Sequence, residues 1–263
     1  GNDFVIIDNR EKIINLTKDQ IVKICDRNFI GCDQLIFIEP DSSADANLRF
    51  FNSDGGESGA CGNGTRCVAN LISNEKNNKS IILNTLSGKL KSEILEKKIV
   101  TTEIGKAKLK WDEIPLSKEM DTKNLNIKII DTNNNEHLGG TAINVGNPHI
   151  VFFVKRIEDF NIEKIGPEIE NHEIFPEKCN VTIAQIFNKN LIKVKVWERG
   201  AGLTKACGTA ACATAYAGKL NNLTENKTDI EFATGKLSIS IDENDSIHMK
   251  GPVSNIKEIN IKL

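Results

Sequence analysis

Trp197-Glu198-Arg199-Gly200-Ala201-Gly202-Leu203-Thr204-Lys205-Ala206-Cys207-Gly208-Thr209 decides the reading of this chain, because the chain contains the pattern twice. It runs from an aromatic through a charged pair and two glycines, then delivers a cysteine to a small-residue helix predicted over Ala210 to Leu220. Glycine, alanine and threonine around one thiol let the backbone approach a ligand closely. A helix start also presents unpaired N–H groups and partial positive charge, which favour a thiolate or a carboxylate. Taken once, such a stretch is equally well a glycine-rich turn with a buried cysteine.

The repetition tips the balance. Phe51-Asn52-Ser53-Asp54-Gly55-Gly56-Glu57-Ser58-Gly59-Ala60-Cys61-Gly62 lies without gaps over Trp197 to Gly208. Aromatic matches aromatic, Asn52 and Glu198 fall nine residues before their cysteines, and Ala-Cys-Gly closes both copies. Gly1-Asn2-Asp3-Phe4 matches Gly146-Asn147-Pro148-His149, with Asn2 lying 59 residues before Cys61 and Asn147 lying 60 before Cys207. Gln34 and Asn180 each fall 27 residues before their cysteine. The pattern is an internal duplication in which each half supplies one cysteine at a helix start.

A length of 263 residues suits two domains, and the weakest segment, Lys106 to Asn124 with Pro115 and many charges, is the expected boundary. The halves are then 1–108, completed by a returning C-terminal strand over 253–263, and 109–252. A net charge of −2 gives no electrostatic case for nucleic acid or an anionic membrane, and no apolar run approaches a membrane span. With no signal-peptide pattern, the expected compartment is the cytoplasm. Seven cysteines, an odd count, argue against a disulfide framework, so thiols are expected. The motifs begin at once, at Gly1, which implies trimming or an omitted leading segment.

Expected strands include Phe4–Asp8, Gln34–Ile38, Leu48–Phe51, Ile81–Leu83, Ile127–Ile130 (opening the second half), Ile150–Val154, Asn180–Gln185, Leu191–Trp197 and Ile230–Ile241. Expected helices are Thr17 to Cys25, with Thr17 as N-cap, and one from Asn63 through Ile72.

Four chemistries fit paired cysteines. Zinc needs about four ligands, usually in Cys-x-x-Cys pairs. Here the close spacings are Cys61 to Cys67 and Cys207 to Cys212, so no metal is expected. A thioredoxin-like redox pair also wants Cys-x-x-Cys. A cysteine hydrolase pairs one nucleophile with a histidine, and His149 is available, but the second cysteine is then idle. Two thiols across a cleft, one ionised and one protonated, use both: one takes a proton from a carbon while the other delivers one to the opposite face. That is cofactor-free racemisation or epimerisation.

The chain resembles the diaminopimelate epimerase family. The motifs that carry the resemblance are Gly1-Asn2-Asp3-Phe4, Asp33-Gln34, Phe51-Asn52 through Cys61-Gly62-Asn63-Gly64, Gly146-Asn147-Pro148-His149, Asn180-Val181, Glu198-Arg199-Gly200-Ala201-Gly202, Ala206-Cys207-Gly208-Thr209 and Lys250-Gly251-Pro252. The resemblance implies an α/β (α+β) fold of two pseudo-symmetric domains, each a mostly antiparallel or mixed sheet curled around a central helix, with the active site between them. It implies interconversion of LL- and meso-2,6-diaminopimelate on the bacterial route to lysine and peptidoglycan, without a cofactor. No membrane or nucleic-acid partner is implied, and a homodimer stays open. Cys61 and Cys207 are then the acid/base pair. The N–H groups at Gly62, Asn63, Gly208 and Thr209 are placed to hold the α-carboxylate. Arg199 is placed to clamp the distal carboxylate with Asn52, Asn147 and Asn180. Glu198 pairs the distal ammonium or lies beside a cysteine, and with His149 it tunes which thiol is ionised. Asn2 and Gln34 line the cleft. Three departures stand out. The family's segment before the first motif is not in this sequence, which is expected to loosen Asn2; Leu203 replaces a polar or acidic residue; and Cys32 replaces a small one as core packing. Cys25, Cys67, Cys179 and Cys212 are read as structural.

Overall fold

A computed structural model describes residues 2–59, 61–96 and 98–260. The chain divides into two compact units, one of Asn2–Glu103 with the chain from Lys250 onward, the other of Ile104–Met249. The first contains β1 (Phe4–Asp8), α1 (Lys18–Cys25), β2 (Gln34–Glu39), β3 (Ala46–Asn52), β4 (Glu57–Ser58), α2 (Gly62–Lys76), β5 (Ser80–Thr85) and β6 (Gly88–Glu96). A further strand, β7 (Ile99–Lys106), runs across the first division point. The second unit contains β8 (Ile127–Ile130), β9 (Glu136–Gly139), β10 (Thr141–Asn144), β11 (Pro148–Val154), α3 (Ile162–Glu170), β12 (Asn180–Asn188), β13 (Leu191–Glu198) and β14 (Gly202–Thr204). It continues with α4 (Gly208–Leu220), β15 (Lys227–Phe232), β16 (Gly235–Ile241) and β17 (Ser246–Pro252), the last crossing the second division point.

The duplication is visible in strand register. β1 pairs parallel with β2, Phe4 opposite Gln34; β11 pairs parallel with β12, His149 opposite Asn180. β3 pairs antiparallel with β4, Phe51 opposite Glu57; β13 pairs with β14, Trp197 opposite Leu203. Further along, Ala46 faces Leu83 as Ile192 faces Ile230, and Ser80 faces Glu93 as Lys227 faces Ser240. A one-residue slip would turn every side chain to the other face. Sheets that agree at these rungs follow one plan, with the cysteines in equivalent places.

Each sheet is buried on both faces, as alternation along single strands shows. In β2, Ile36 and Ile38 pack with Val68, Ala69 and Ile72 of α2, while Leu35 and Phe37 pack with Ile21 and Ile24 of α1. In the second unit α4 occupies the place of α2 and α3 that of α1. Side chains of this size stabilise by roughly 1.5–3 kcal/mol each when fully buried. α4 is buried from Ala210 through Gly218, and apart from Tyr216 these side chains are small, which permits close approach of the helix to the sheet. α2 meets the same demand at Gly64, where an added Cβ would lie 2.7 Å from Ile36 Cδ1. At α1, Thr17 forms a full capping box: its hydroxyl accepts from the Gln20 N–H at 3.3 Å, and its own N–H donates to Gln20 Oε1 at 2.9 Å.

Four expectations change. The segment from Lys106, read as the weakest of the chain, is packed: Ile114 and Leu116 are buried in the α3 core with Trp111 against it. Ile127–Ile130 does not open the second unit as β1 opens the first; it pairs with β9 in a separate two-stranded sheet, and β11 is the counterpart of β1. The C-terminal strand over 253–263 is absent from residues 253–260, and 261–263 lie outside the described residues. There Val253 packs into the α2 core and donates its N–H to the Lys98 carbonyl at 2.9 Å, but Ile256 and Ile259 are exposed, so the alternation beyond it meets no core. Finally, α3 has no counterpart among the sequence expectations, since Gly166 and Pro167 interrupt the apolar spacing Ile162, Ile165, Ile169.

Candidate active site

The two cysteines are the N-caps of the two central helices, Cys61 for α2 and Cys207 for α4, with nearly identical backbone angles (φ −141°, ψ 108° and φ −138°, ψ 118°). At an N-cap the side chain faces the free N–H groups of the first turn. Cys61 uses this directly, its Sγ accepting from the Gly64 N–H at 3.5 Å. Cys207 instead has Sγ 3.4 Å from the Thr209 hydroxyl.

Their surroundings differ more. Cys61 is half-buried, whereas Cys207 is only 5% exposed, a member of the α4 core, and so is not the solvent-reachable thiol its position suggests. Burial, then the Glu198 charge and a hydrogen bond with Glu198, push the Cys207 thiol well above its ordinary range. Of the two places considered for Glu198, the structure shows the one beside a cysteine.

In the first unit one hydrogen-bonded chain joins two of the expected side chains, Asn2 and Asn63, to Arg66 and Asp33. Arg66 Nη2 donates to Asn63 Oδ1 (2.8 Å), Asn63 Nδ2 to Asn2 Oδ1 (2.6 Å), and Asn2 Nδ2 to Asp33 Oδ2 (3.1 Å). Asn2 is thus clamped at both ends rather than loosened. Gln34 and Asn52 face each other across β2 and β3, Gln34 Nε2 donating to Asn52 Oδ1 at 2.8 Å. Arg66, buried and next to the helix start, is a member of this chain that motif reading passes over.

In the second unit His149 is fully buried, its Nε2 at 2.8 Å from Asn147 Oδ1, while Nδ1 has no hydrogen-bond partner among the described residues. Since Asn147 Oδ1 can only accept, Nε2 carries the proton. Burial first, and the Arg199 charge second, push the imidazole down to about 3, so it is neutral. Asn180 is occupied on both sides, Nδ2 donating to the Pro148 carbonyl (2.9 Å) and Oδ1 accepting the Arg199 backbone N–H (3.0 Å). Arg199 itself is exposed and donates from Nη1 to the Glu177 carbonyl at 2.9 Å.

The remaining cysteines follow burial. Cys25 and Cys32 pack Sγ to Sγ at 3.5 Å in the α1 core, and burial pushes Cys32 up to about 12. Cys179 and Cys212 are buried, and Cys67 is half-buried. At Leu203 the register explains the departure: its counterpart Glu57 pairs with Arg49 at 2.7 Å, whereas Lys195, in the place of Arg49, donates to the Ile157 carbonyl. Among the described residues no cluster of three or more metal-ligating side chains occurs, and no helix is long and apolar enough to cross a membrane.

Two similar units, each ending its glycine-rich loop in a helix capped by a cysteine, define an epimerase-type α/β fold. A phenazine biosynthesis protein of the PhzF family from Bacillus anthracis shares it with a TM-score of 0.66 at 14% identity, covering 100% of this chain and 94% of that one. So does a hydroxyproline epimerase from Agrobacterium vitis, with a TM-score of 0.63 at 13% identity, covering 89% and 76%. At such identities the likeness concerns the fold. Sequence goes further: the model of the family described as diaminopimelate epimerase matches residues 1–110 and 141–256. A diaminopimelate epimerase of Pelagibacter ubique is 68% identical over 263 residues, covering 100% of this chain and 96% of its own length. The chain belongs to the diaminopimelate epimerase family and is an isomerase.

Proposed function

We propose that this enzyme interconverts LL- and meso-2,6-diaminopimelate by moving the α-proton between Cys61 and Cys207, in the cytoplasm, where thiols stay reduced. The carrying observation is the rung-by-rung duplication that places a cysteine at the same N-cap in both units, with Cys207 held protonated by burial and Glu198. In the direction that starts with Cys207 protonated, Cys61 is the base. Its Sγ takes the α-proton, the electron pair stays on the carbon and spreads into the α-carboxylate, and Cys207 gives its proton to the opposite face. Cys61 is then the thiol and Cys207 the thiolate, ready for the reverse reaction. The weakly acidic C–H requires stabilisation of the developing charge, which N–H groups of Gly62, Asn63, Gly208 and Thr209 supply at two helix starts. His149, kept neutral by burial, can bear on which thiol is ionised only through packing and its bond to Asn147, without a charge of its own. Arg199 receives the distal carboxylate; this separates the reading from a proline or hydroxyproline epimerase, whose substrate has no second amino-acid head.

Incubation with LL-diaminopimelate in deuterated water tests this: the meso product should carry deuterium at one α-carbon. Cys61→Ala and Cys207→Ala should each abolish conversion while Cys67→Ala and Cys212→Ala retain it. Either active-site variant turning over near the wild-type rate ends the two-thiol mechanism.

A further inference from the structure

Glu170 is the last residue of α3, where the exposed carbonyls of a helix end disfavour an acid, and it is only 6% exposed. A carboxylate in such a place must be held by donors from elsewhere. It is: Oε2 accepts the Trp197 indole N–H at 2.7 Å, and Oε1 accepts the Gly200 backbone N–H at 3.0 Å. Lys178 Nζ lies 4.0 Å from Oε1. Trp197 and Gly200 bracket Glu198 and Arg199, so one carboxylate grips the loop on either side of that pair. From the other side, Asn180 Oδ1 takes the Arg199 backbone N–H and the Glu177 carbonyl takes its guanidinium.

The duplication supplies an internal control. In the first unit Phe51 stands in the place of Trp197 and has no N–H to give, and the last turn of α1 buries Ile24 and Cys25 where α3 buries Glu170. Both loops share a backbone turn, Gly55 N–H to the Asn52 carbonyl in the first unit and Ala201 N–H to the Glu198 carbonyl in the second, and the second adds the carboxylate to it. The carboxylate grip therefore belongs to the copy that carries Arg199, not to the shared fold.

We infer that Glu170 is a positioning residue for substrate selection: it fixes the backbone around Arg199 so that the guanidinium meets the substrate's distal carboxylate in one orientation. The inference rests on the reading of Arg199 given above. Glu170→Gln keeps the shape but offers one acceptor to two donors, its amide N–H₂ facing an N–H.

Steady-state kinetics on LL-diaminopimelate, for the wild type, E170Q, R199M and the double variant, decide the matter. Distal-carboxylate binding is made equally in ground and transition states, so its loss appears in KM and not kcat. E170Q should raise KM about tenfold, as expected for one lost charge-assisted hydrogen bond, with kcat within about twofold. In the R199M background the same change should move KM by less than about twofold, because the group it positions is gone. Trp197→Phe removes the Oε2 bond from its other end and should show the same dependence on Arg199 if E170Q folds poorly. An unchanged KM in E170Q, or an equal factor in both backgrounds, overturns the role and leaves Glu170 a structural residue only. If R199M itself has a wild-type KM, the assignment of Arg199 has failed, and the inference about Glu170 falls with it.

Discussion

Cys61 and Cys207 show how far one backbone position leaves chemistry undecided. Both cap a helix at the same register, yet Cys61 is half-buried with the Gly64 N–H on its sulfur, and Cys207 is buried against a carboxylate. This difference biases Cys207 towards being the protonated member of the pair at rest. His149 contributes a pH dependence of its own. Its imidazole is held neutral down to about 3, far below the roughly 6.5 of an exposed histidine. Between those values the unfolded chain binds a proton that the folded protein excludes, so stability falls as pH drops through this window, at up to about 1.4 kcal/mol per pH unit. Carboxylates with lowered values, such as Asp131 and Asp242, add their losses only nearer pH 4 and below. Denaturant unfolding between pH 6.5 and 4.5 therefore isolates the histidine. The wild type should weaken across that range, and His149→Gln, which keeps a donor for Asn147, should be nearly flat; equal slopes would place the acid sensitivity elsewhere.

At the scale of elements the packing of α3 is the most sensitive contact. Gly166 lets the helix lie directly on the Trp197 ring: a Cβ there would sit 2.3 Å from Trp197 Cγ, and a ring fixed by its hydrogen bond to Glu170 cannot yield cheaply. Gly166→Ala would gain up to about 1 kcal/mol of helix propensity but incur overpacking of about 1–3 kcal/mol. A net loss of stability is expected, with a shift in Trp197 fluorescence as the indole leaves Glu170. A stabilised variant with unchanged emission would show that the ring moves freely. The same glycine explains what the sequence concealed. Strands and helices with clean apolar spacing, such as β2 and α1 behind the Thr17 cap, were legible within a residue or two. α3 was not, because Gly166 and Pro167 stand where its apolar spacing should continue. Glu170 was hidden for a related reason: its significance lies in Trp197, 27 residues away, and only an acid at a helix end hinted at it. In the segment after Lys106 the charges masked Ile114 and Leu116, which the fold buries completely or nearly so.

For the whole molecule the duplication carries the argument, because a repeat fixes relations that no single motif does. The cysteines, Asn52 and Glu198, and Gln34 and Asn180 were paired by spacing alone; each unit places its cysteine at a matching helix N-cap and the other two on matching strands. What spacing could not convey is how the copies differ: Leu203 stands where the first has Glu57, Trp197 where it has Phe51, and Glu170 where it has an apolar helix end. The two-thiol mechanism makes a demand on the entire chain, since one sulfur from each half must reach opposite faces of one carbon. Sulfurs that can flank a single atom can also bond directly when no substrate separates them and their Cα atoms come within roughly 4.4–6.8 Å. Treatment of the substrate-free enzyme with a disulfide such as oxidised glutathione should therefore inactivate it. Thiolate exchange would first attach glutathione to Cys61, and Cys207 would then displace it to form the Cys61–Cys207 bond. A reductant should restore activity, and prior binding of substrate should protect. Cys25 and Cys32, already 3.5 Å apart, are the competing pair, but both thiols are buried and burial suppresses their ionisation, so they should react more slowly. Peptide mapping separates the outcomes: a Cys61–Cys207 linkage that tracks the loss of activity supports the mechanism, and an inactivated enzyme linked only at Cys25–Cys32 contradicts it.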